Sequence, residues 1–202
     1  MMNAQILRDL SEKLDTAVSL LEEIYRAISA PVPSETSSQE PGFVEVSGME
    51  APWVVDGLVW DGKSEVADET ELTGFLGFNP NGKTGGKSWC AGFWIPILRA
   101  LGFDVSNLDL RAVSYENFGY ALDIDCNLAV DALMELIPDG AILVFQPDPD
   151  GEFPISHIGV KVDGNKLFGG NQGDKAKRSN LLWYLQHAKL TAIRCPDGYK
   201  LV

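Results

Sequence analysis

Between residues 69 and 194 the apolar pattern changes period once, and that change limits what the chain can fold into. Glu69 to Leu76, Cys90 to Leu101 and Leu128 to Leu136 have the length and apolar spacing of helices. Ala141 to Phe145, His157 to Val162, Asn165 to Phe168 and Leu190 to Arg194 are short apolar runs separated by Pro, Asp and Gly turns, which is how strands read. Helices gathered early and strands gathered late predict an α+β fold, with the early helices packed on an antiparallel sheet. Cys90 to Leu101 is so apolar that it is expected in the core, with Pro96 either kinking it or occupying a tolerated early turn.

Ahead of this domain, Leu7, Leu10, Leu14, Ala17, Leu21, Ile24 and Ile28 alternate in steps of three and four, which is a heptad seam. Asp9 precedes Lys13 and Glu22 precedes Arg26 in the favourable helical order. Residues 1–29 are therefore expected to form an N-terminal coiled-coil helix that makes the chain a homo-oligomer through residues 3–29. The same stripe would also suit an amphipathic helix folded back on the domain. Residues 30–50 are rich in Pro, Ser and Glu and read as a flexible linker, since they bury too little apolar area to offset their ordering entropy. Residues 51–202 read as the folded domain.

The 202 residues, 45% of them hydrophobic, are enough for one substantial core. A net charge of -13 argues against nucleic acid or an anionic membrane surface as the main partner, because both require clustered Lys and Arg. Three cysteines make an odd number and fit reduced thiols rather than a disulfide framework. No run reaches the roughly 18 apolar residues of a membrane span, and the first segment lacks the basic-then-apolar pattern of a secretory signal. Synthesis in a cytoplasm without a signal peptide is expected.

Chemistry concentrates in Ser88-Trp89-Cys90-Ala91-Gly92-Phe93-Trp94, where a Gly-rich loop turns into the apolar helix. A thiol there faces unpaired backbone N–H groups and the positive end of the helix dipole, both of which favour thiolate. His157 lies on a strand downstream, and Asn171 follows in Gly169-Gly170-Asn171-Gln172. The order Cys90, His157, Asn171 suits a nucleophile, its base and a polar group that holds the imidazole. Each has a plainer alternative: a free Cys is commonly a small apolar filler, and Asn next to Gly is commonly a turn residue. Cys126 and Cys195 are expected to be such fillers. Gln172 should face away from Asn171 if the segment is extended, as a substrate contact or as support.

Three other motifs carry less. Gly82-Lys83-Thr84-Gly85-Gly86-Lys87-Ser88 has Asn81 where a phosphate loop needs its first glycine. Asp148-Pro149-Asp150-Gly151-Glu152 is much shorter than a calcium hand and reads as a solvated turn. His187, alone on a helix-like segment, has no Cys or His at zinc spacing, so no metal site is expected.

Trp89-Cys90-Ala91-Gly92-Phe93, His157-Ile158-Gly159 and Gly169-Gly170-Asn171-Gln172, with Ala112 to Gly119 between them, resemble the papain-like peptidoglycan hydrolases called CHAP and NlpC-type domains, above all their phage-associated members. The similarity spans residues 69 to 195. Ser156 and Ser88 stand where those families often have Gly and Pro. The resemblance implies a papain-like α+β fold and an amide-cleaving cysteine hydrolase without an organic cofactor, in which Cys90 attacks, His157 moves the proton and Asn171 orients the ring. Trp89 and Gln172 would contact the substrate. It further implies an endolysin or virion-associated lysin, made in a host cytoplasm and acting on bacterial peptidoglycan at the cell wall. The alternative is a virion structural or wall-binding module that keeps the fold without turnover.

Overall fold

Strand pairing downstream of residue 120 builds the platform on which the helices rest. The computed structural model describes residue 13 and residues 42–149, 154 and 156–202. In chain order the strands are β1 (Val44–Val46), β2 (Tyr120–Ala121), β3 (Ile142–Gln146), β4 (His157–Val162), β5 (Lys166–Gly169), β6 (Lys177–Asn180), β7 (Lys189–Cys195) and β8 (Tyr199–Leu201). The α-helices are α1 (Pro52–Leu58), α2 (Glu69–Leu76), α3 (Cys90–Ala100), α4 (Val130–Leu136) and α5 (Leu181–His187). Among the described residues, six strands pair antiparallel in the order β2-β7-β3-β4-β5-β6, while β1 and β8 make a separate parallel pair. The fold is α+β, with helices packed on an antiparallel sheet.

Alternation along the strands sorts the core into two layers, because successive side chains point to opposite faces. Ile142, Val144, Ile158, Val160, Val162 and Phe168 join Trp53 and Val54 of α1 and Phe93, Trp94, Ile97 and Leu98 of α3. Leu143, Phe145, Leu167 and Ile193 join Leu133 of α4 and Leu181, Tyr184 and Leu185 of α5 on the other side. Seven of the 11 residues of α3 are buried, so apolar burial on the sheet, rather than intrinsic propensity, holds this helix. Pro96 sits inside it rather than in its first turn. Arg99 lies in the last turn, where a cation suits the dipole.

The domain begins earlier than the sequence predicts. Val44 to Glu50, assigned above to the linker, form β1 and a 3-10 turn, with Val44 opposite Tyr199 and Gly48 pressed against the Asp139 backbone. Their sparse apolar content hides this, because the pairing is made by backbone groups of β8. The heptad segment, apart from Lys13, and residues 30–41 lie outside the described residues. Among the described residues no helix is long and apolar enough to cross a membrane.

Gly170, just past β5, passes close against Trp89 and Phe93 at the start of α3. A Cβ there would fall 2.6 Å from Trp89 Cε3 and 2.7 Å from Phe93 Cβ, and both aromatics are fully buried with nowhere to retreat. Gly170→Ala is expected to destabilise the domain by about 2 kcal/mol through overpacking. A urea titration checks this, and an unchanged midpoint would mean that the two rings move aside freely.

Candidate active site

Cys90 is the first residue of α3 and His157 the first of β4, and both are almost closed to solvent, at 5% and 4% exposure. The β4–β5 ladder pairs Val160 to Val162 and leaves Ile158 beyond its end. Cys90 packs in one buried cluster with Ile158, and the polar groups of Ala91, Ser88 and Ile158 favour its charged form. His157 lies on the opposite face of the sheet from α3, where its ring stacks on Tyr184 at 5.0 Å and 16°. Tyr184 is close enough to Cys90 to feel its charge. Thiol and imidazole therefore lie at the same end of β4 but on its two faces. Among the described residues no hydrogen bond joins them, and His157 Nε2 is buried without a partner.

Burial governs the electrostatics. Desolvation pushes the Cys90 thiol up, against the hydrogen bonds from Ala91, Ser88 and Ile158 that favour thiolate. Desolvation also pulls His157 down to about 4. Both groups rest neutral, the thiol as well as the imidazole. This corrects the expectation of a thiolate available near neutral pH, because the helix terminus does not outweigh the loss of water around the sulfur. Tyr184 is pushed up to about 12 by burial and by Cys90, so it stays a neutral partner for the ring.

Asn171 stands elsewhere than expected. Continuing the β4–β5 register would set it across from His157, but β5 ends at Gly169 and Asn171 turns into the left-handed region at φ 57. Its Nδ2 donates to Ser88 Oγ at 3.0 Å, and among the described residues it makes no hydrogen bond to the imidazole. What holds the ring is Tyr184, from a helix that no local motif connects to the site. Gln172, expected near substrate or as support, is 2% exposed with neither amide atom hydrogen-bonded.

Trp89, expected to touch substrate, is fully buried, and its Nε1 donates to Glu65 Oε2 at 3.0 Å. Glu65 Oε1 in turn accepts from the Gly82 N–H at 3.2 Å. The indole therefore anchors the loop that delivers Cys90, since an apolar ring beside the apolar α3 gains more from the core than from water. Trp89→Phe leaves a carboxylate oxygen of the buried Glu65 without its donor. The expected cost is about 2 kcal/mol, read as a fall in Tm of about 4 to 8 °C. A smaller fall would mean that water replaces the indole.

Tyr115, in the Ala112–Asn117 turn, is buried and donates from its hydroxyl to the Ala91 carbonyl at 2.8 Å, which ties that turn to the first residues of α3. The Gly82–Thr84 stretch is a 3-10 turn capped by Asn81, which accepts from the Lys83 N–H. The run at Asp148 lies partly outside the described residues. Among those residues no group of three His, Cys, Asp or Glu side chains is placed to hold a metal. A cleft of about 760 Å³, lined among others by Phe103, Leu108, Arg111, Phe118 and Asp197, includes none of Cys90, His157 and Asn171.

Fold and site together define an α+β domain that presents a helix-borne thiol to a histidine-bearing strand. No family model matches the chain, and no curated protein matches it. Among solved structures it is similar to NlpC1 from Trichomonas vaginalis, at 18% identity over 52% of this chain and 33% of that one, with a TM-score of 0.37. It is similar also to NlpC2 from Trichomonas vaginalis, at 18% identity over 55% of this chain and 36% of that one, with a TM-score of 0.37. The chain spans about a third of the length of these two structures.

Proposed function

We propose that the chain is a cysteine hydrolase that cleaves an amide bond in bacterial peptidoglycan. The observation that carries the reading is that Cys90, at the start of α3, packs in one buried cluster with Ile158, the residue after His157 at the start of β4. In the proposed reaction the Cys90 proton passes to His157 as sulfur attacks the amide carbonyl. A C–S bond forms, the imidazolium protonates the leaving amine as the C–N bond breaks, and water then releases the acyl group. The backbone N–H of Cys90 is the proposed donor to the oxyanion, a kind of contact worth about 3 kcal/mol elsewhere.

The substrate class is supported by the likeness of the segments around Cys90, His157 and Asn171 to phage wall hydrolases. The proposed setting is an endolysin or virion-associated lysin acting at the cell wall, with the heptad segment of residues 3–29 joining copies so that weak single contacts with an insoluble polymer add up. One observation favours a second reading, a wall-binding module without turnover: Cys90 and His157 are nearly closed to solvent. Purified chain incubated with peptidoglycan, its products read by mass spectrometry, distinguishes the two. New amine termini or freed stem peptides are the expected result, and fragments no more abundant than in the blank would leave the binding module.

A further inference from the structure

Gln172 is a polar residue that the fold closes in without a partner. Among the described residues neither its Oε1 nor its Nε2 is hydrogen-bonded, and the ring Nε2 of the equally buried His157 is in the same condition. A buried polar atom without a partner forfeits the hydrogen bond it had to water, so folded proteins keep few of them. The strand register puts these two side chains on one face of the sheet. Lys161 lies opposite Leu167, and continuing that register sets Gly159 against Gly169. A Cβ on Gly169 would fall 3.4 Å from the Gly159 Cα, as the register requires. Residues two apart along a strand share a face, so His157, Gly159 and Lys161 on β4, and Leu167 and Gly169 on β5, look toward α4 and α5. Gln172 Nε2 lies 3.2 Å from the point a Gly169 Cβ would occupy, so the chain turns at Asn171 and folds the Gln172 amide back over that same face. Gly169 is the diagonal neighbour of His157, a separation of about 7 to 8 Å that long side chains bridge. Neither Gly159 nor Gly169 puts a side chain between amide and ring. Gln146, the other amide with an unpaired buried nitrogen, follows Phe145, which lies opposite His157, so alternation turns it to the other face.

We infer that Gln172 is the positioning residue of His157, its side-chain carbonyl accepting from the ring Nε2–H. Rotation about the Gln172 side-chain bonds brings Oε1 to the ring, while the backbone stays fixed by the Gln172 N–H, which donates to the Lys175 carbonyl at 2.8 Å. Tyr184 sets the plane of the ring by stacking, and the amide sets its rotation within that plane. The hydrogen bond selects the tautomer protonated at Nε2 and leaves Nδ1 as the atom that takes a proton. This role rests on the reading of His157 as the base of the hydrolase. The titratable groups on the ring's face of the sheet are Tyr184 on α5 and, farther along β4, Lys161, whose Nζ donates to the Met134 and Ile137 carbonyls. Cys90 lies at the same end of β4 on the other face.

The test is nitrogen-15 NMR of the histidine rings in the full chain, which has two histidines, with His187→Gln identifying the other ring. Protonated and bare ring nitrogens give distinct signals. At neutral pH the parent is expected to show a single tautomer, with Nε2 protonated and Nδ1 bare. Gln172→Met keeps the length of the side chain and removes the amide, and is expected to give a mixture of the two tautomers. Gln172→Glu keeps the oxygen and adds a charge, and is expected to raise the pH at which the His157 ring titrates by about two units, or about hundredfold tighter proton binding. A parent ring protonated at Nδ1, an unchanged ring in Gln172→Met, or a Gln172→Glu midpoint equal to the parent's overturns the role. If Gln172→Met does not fold, the parent and Gln172→Glu spectra decide. No wall substrate enters this measurement. A hydrolase reading that fails would appear as these spectra without release of wall fragments, while a Gln172 role that fails shows in the spectra.

Discussion

Cys90→Ala is expected to lose about 10⁴- to 10⁶-fold in turnover of wall peptide while folding as the parent does. The loss is large because the sulfur is the only protein group in the proposed reaction that bonds to the substrate carbon, and removing it leaves nothing to form the acyl intermediate. The structural cost is small by comparison. One thiol-sized void at a site 5% exposed costs about 1 kcal/mol, and α3 keeps its other buried residues. Cys90→Ser should lose nearly as much, since a hydroxyl is far harder to deprotonate than a thiol and a desolvated imidazole near 4 is a weak base. Initial rates on purified peptidoglycan, with thermal melts of the same samples, check both points. Turnover within tenfold of the parent would remove Cys90 from the chemistry.

Acid is expected to destabilise the domain through His157. The ring has an ordinary value of 6.5 and is pulled down to about 4 by burial, so on acidification the unfolded chain takes up this proton before the folded one does. The stability that follows from keeping the ring neutral is fully present above pH 6.5 and is lost as the pH falls through about 4. Over that window it amounts to about 3 kcal/mol. His157→Phe keeps a ring against Tyr184 but cannot bind a proton, so its unfolding midpoint should fall less steeply from pH 7 to pH 4.5 than the parent's. Parallel slopes for the two would mean that His157 reaches water. Catalysis should show the same group as an acid limb near pH 4, in contrast to the limb near 6.5 of a solvated histidine.

Much of the scaffold is legible in the chain itself. Glu69 to Leu76 and His157 to Val162 match α2 and β4 to the residue, because apolar patterning and flanking turn residues agree there. α1 escaped notice because Trp53-Val54-Val55 behind Pro52 reads as strand, and only its burial against α3 makes it helical. β6 escaped because Lys177-Arg178-Ser179-Asn180 has no apolar face and is a strand by virtue of backbone pairing with β5. The site divides in the same way. Cys90 and His157 announce themselves by residue type and by what surrounds them in the sequence. The stacking of Tyr184 on His157, the diversion of Asn171 to Ser88 and the burial of Trp89 depend on how separate elements meet. The charge state of Cys90 was equally hidden, because a helix terminus can be read from sequence and the water excluded around it cannot.

That Cys90 and His157 act as one unit is the claim on which the functional account stands, and a double-mutant cycle tests it most directly. Rates on peptidoglycan would be measured for the parent, Cys90→Ala, His157→Ala and the double variant. The account predicts that the double variant is no slower than either single one, since removing one member of a nucleophile–base pair already forfeits what the pair does. Losses that multiply, with each residue contributing its own factor, would contradict it.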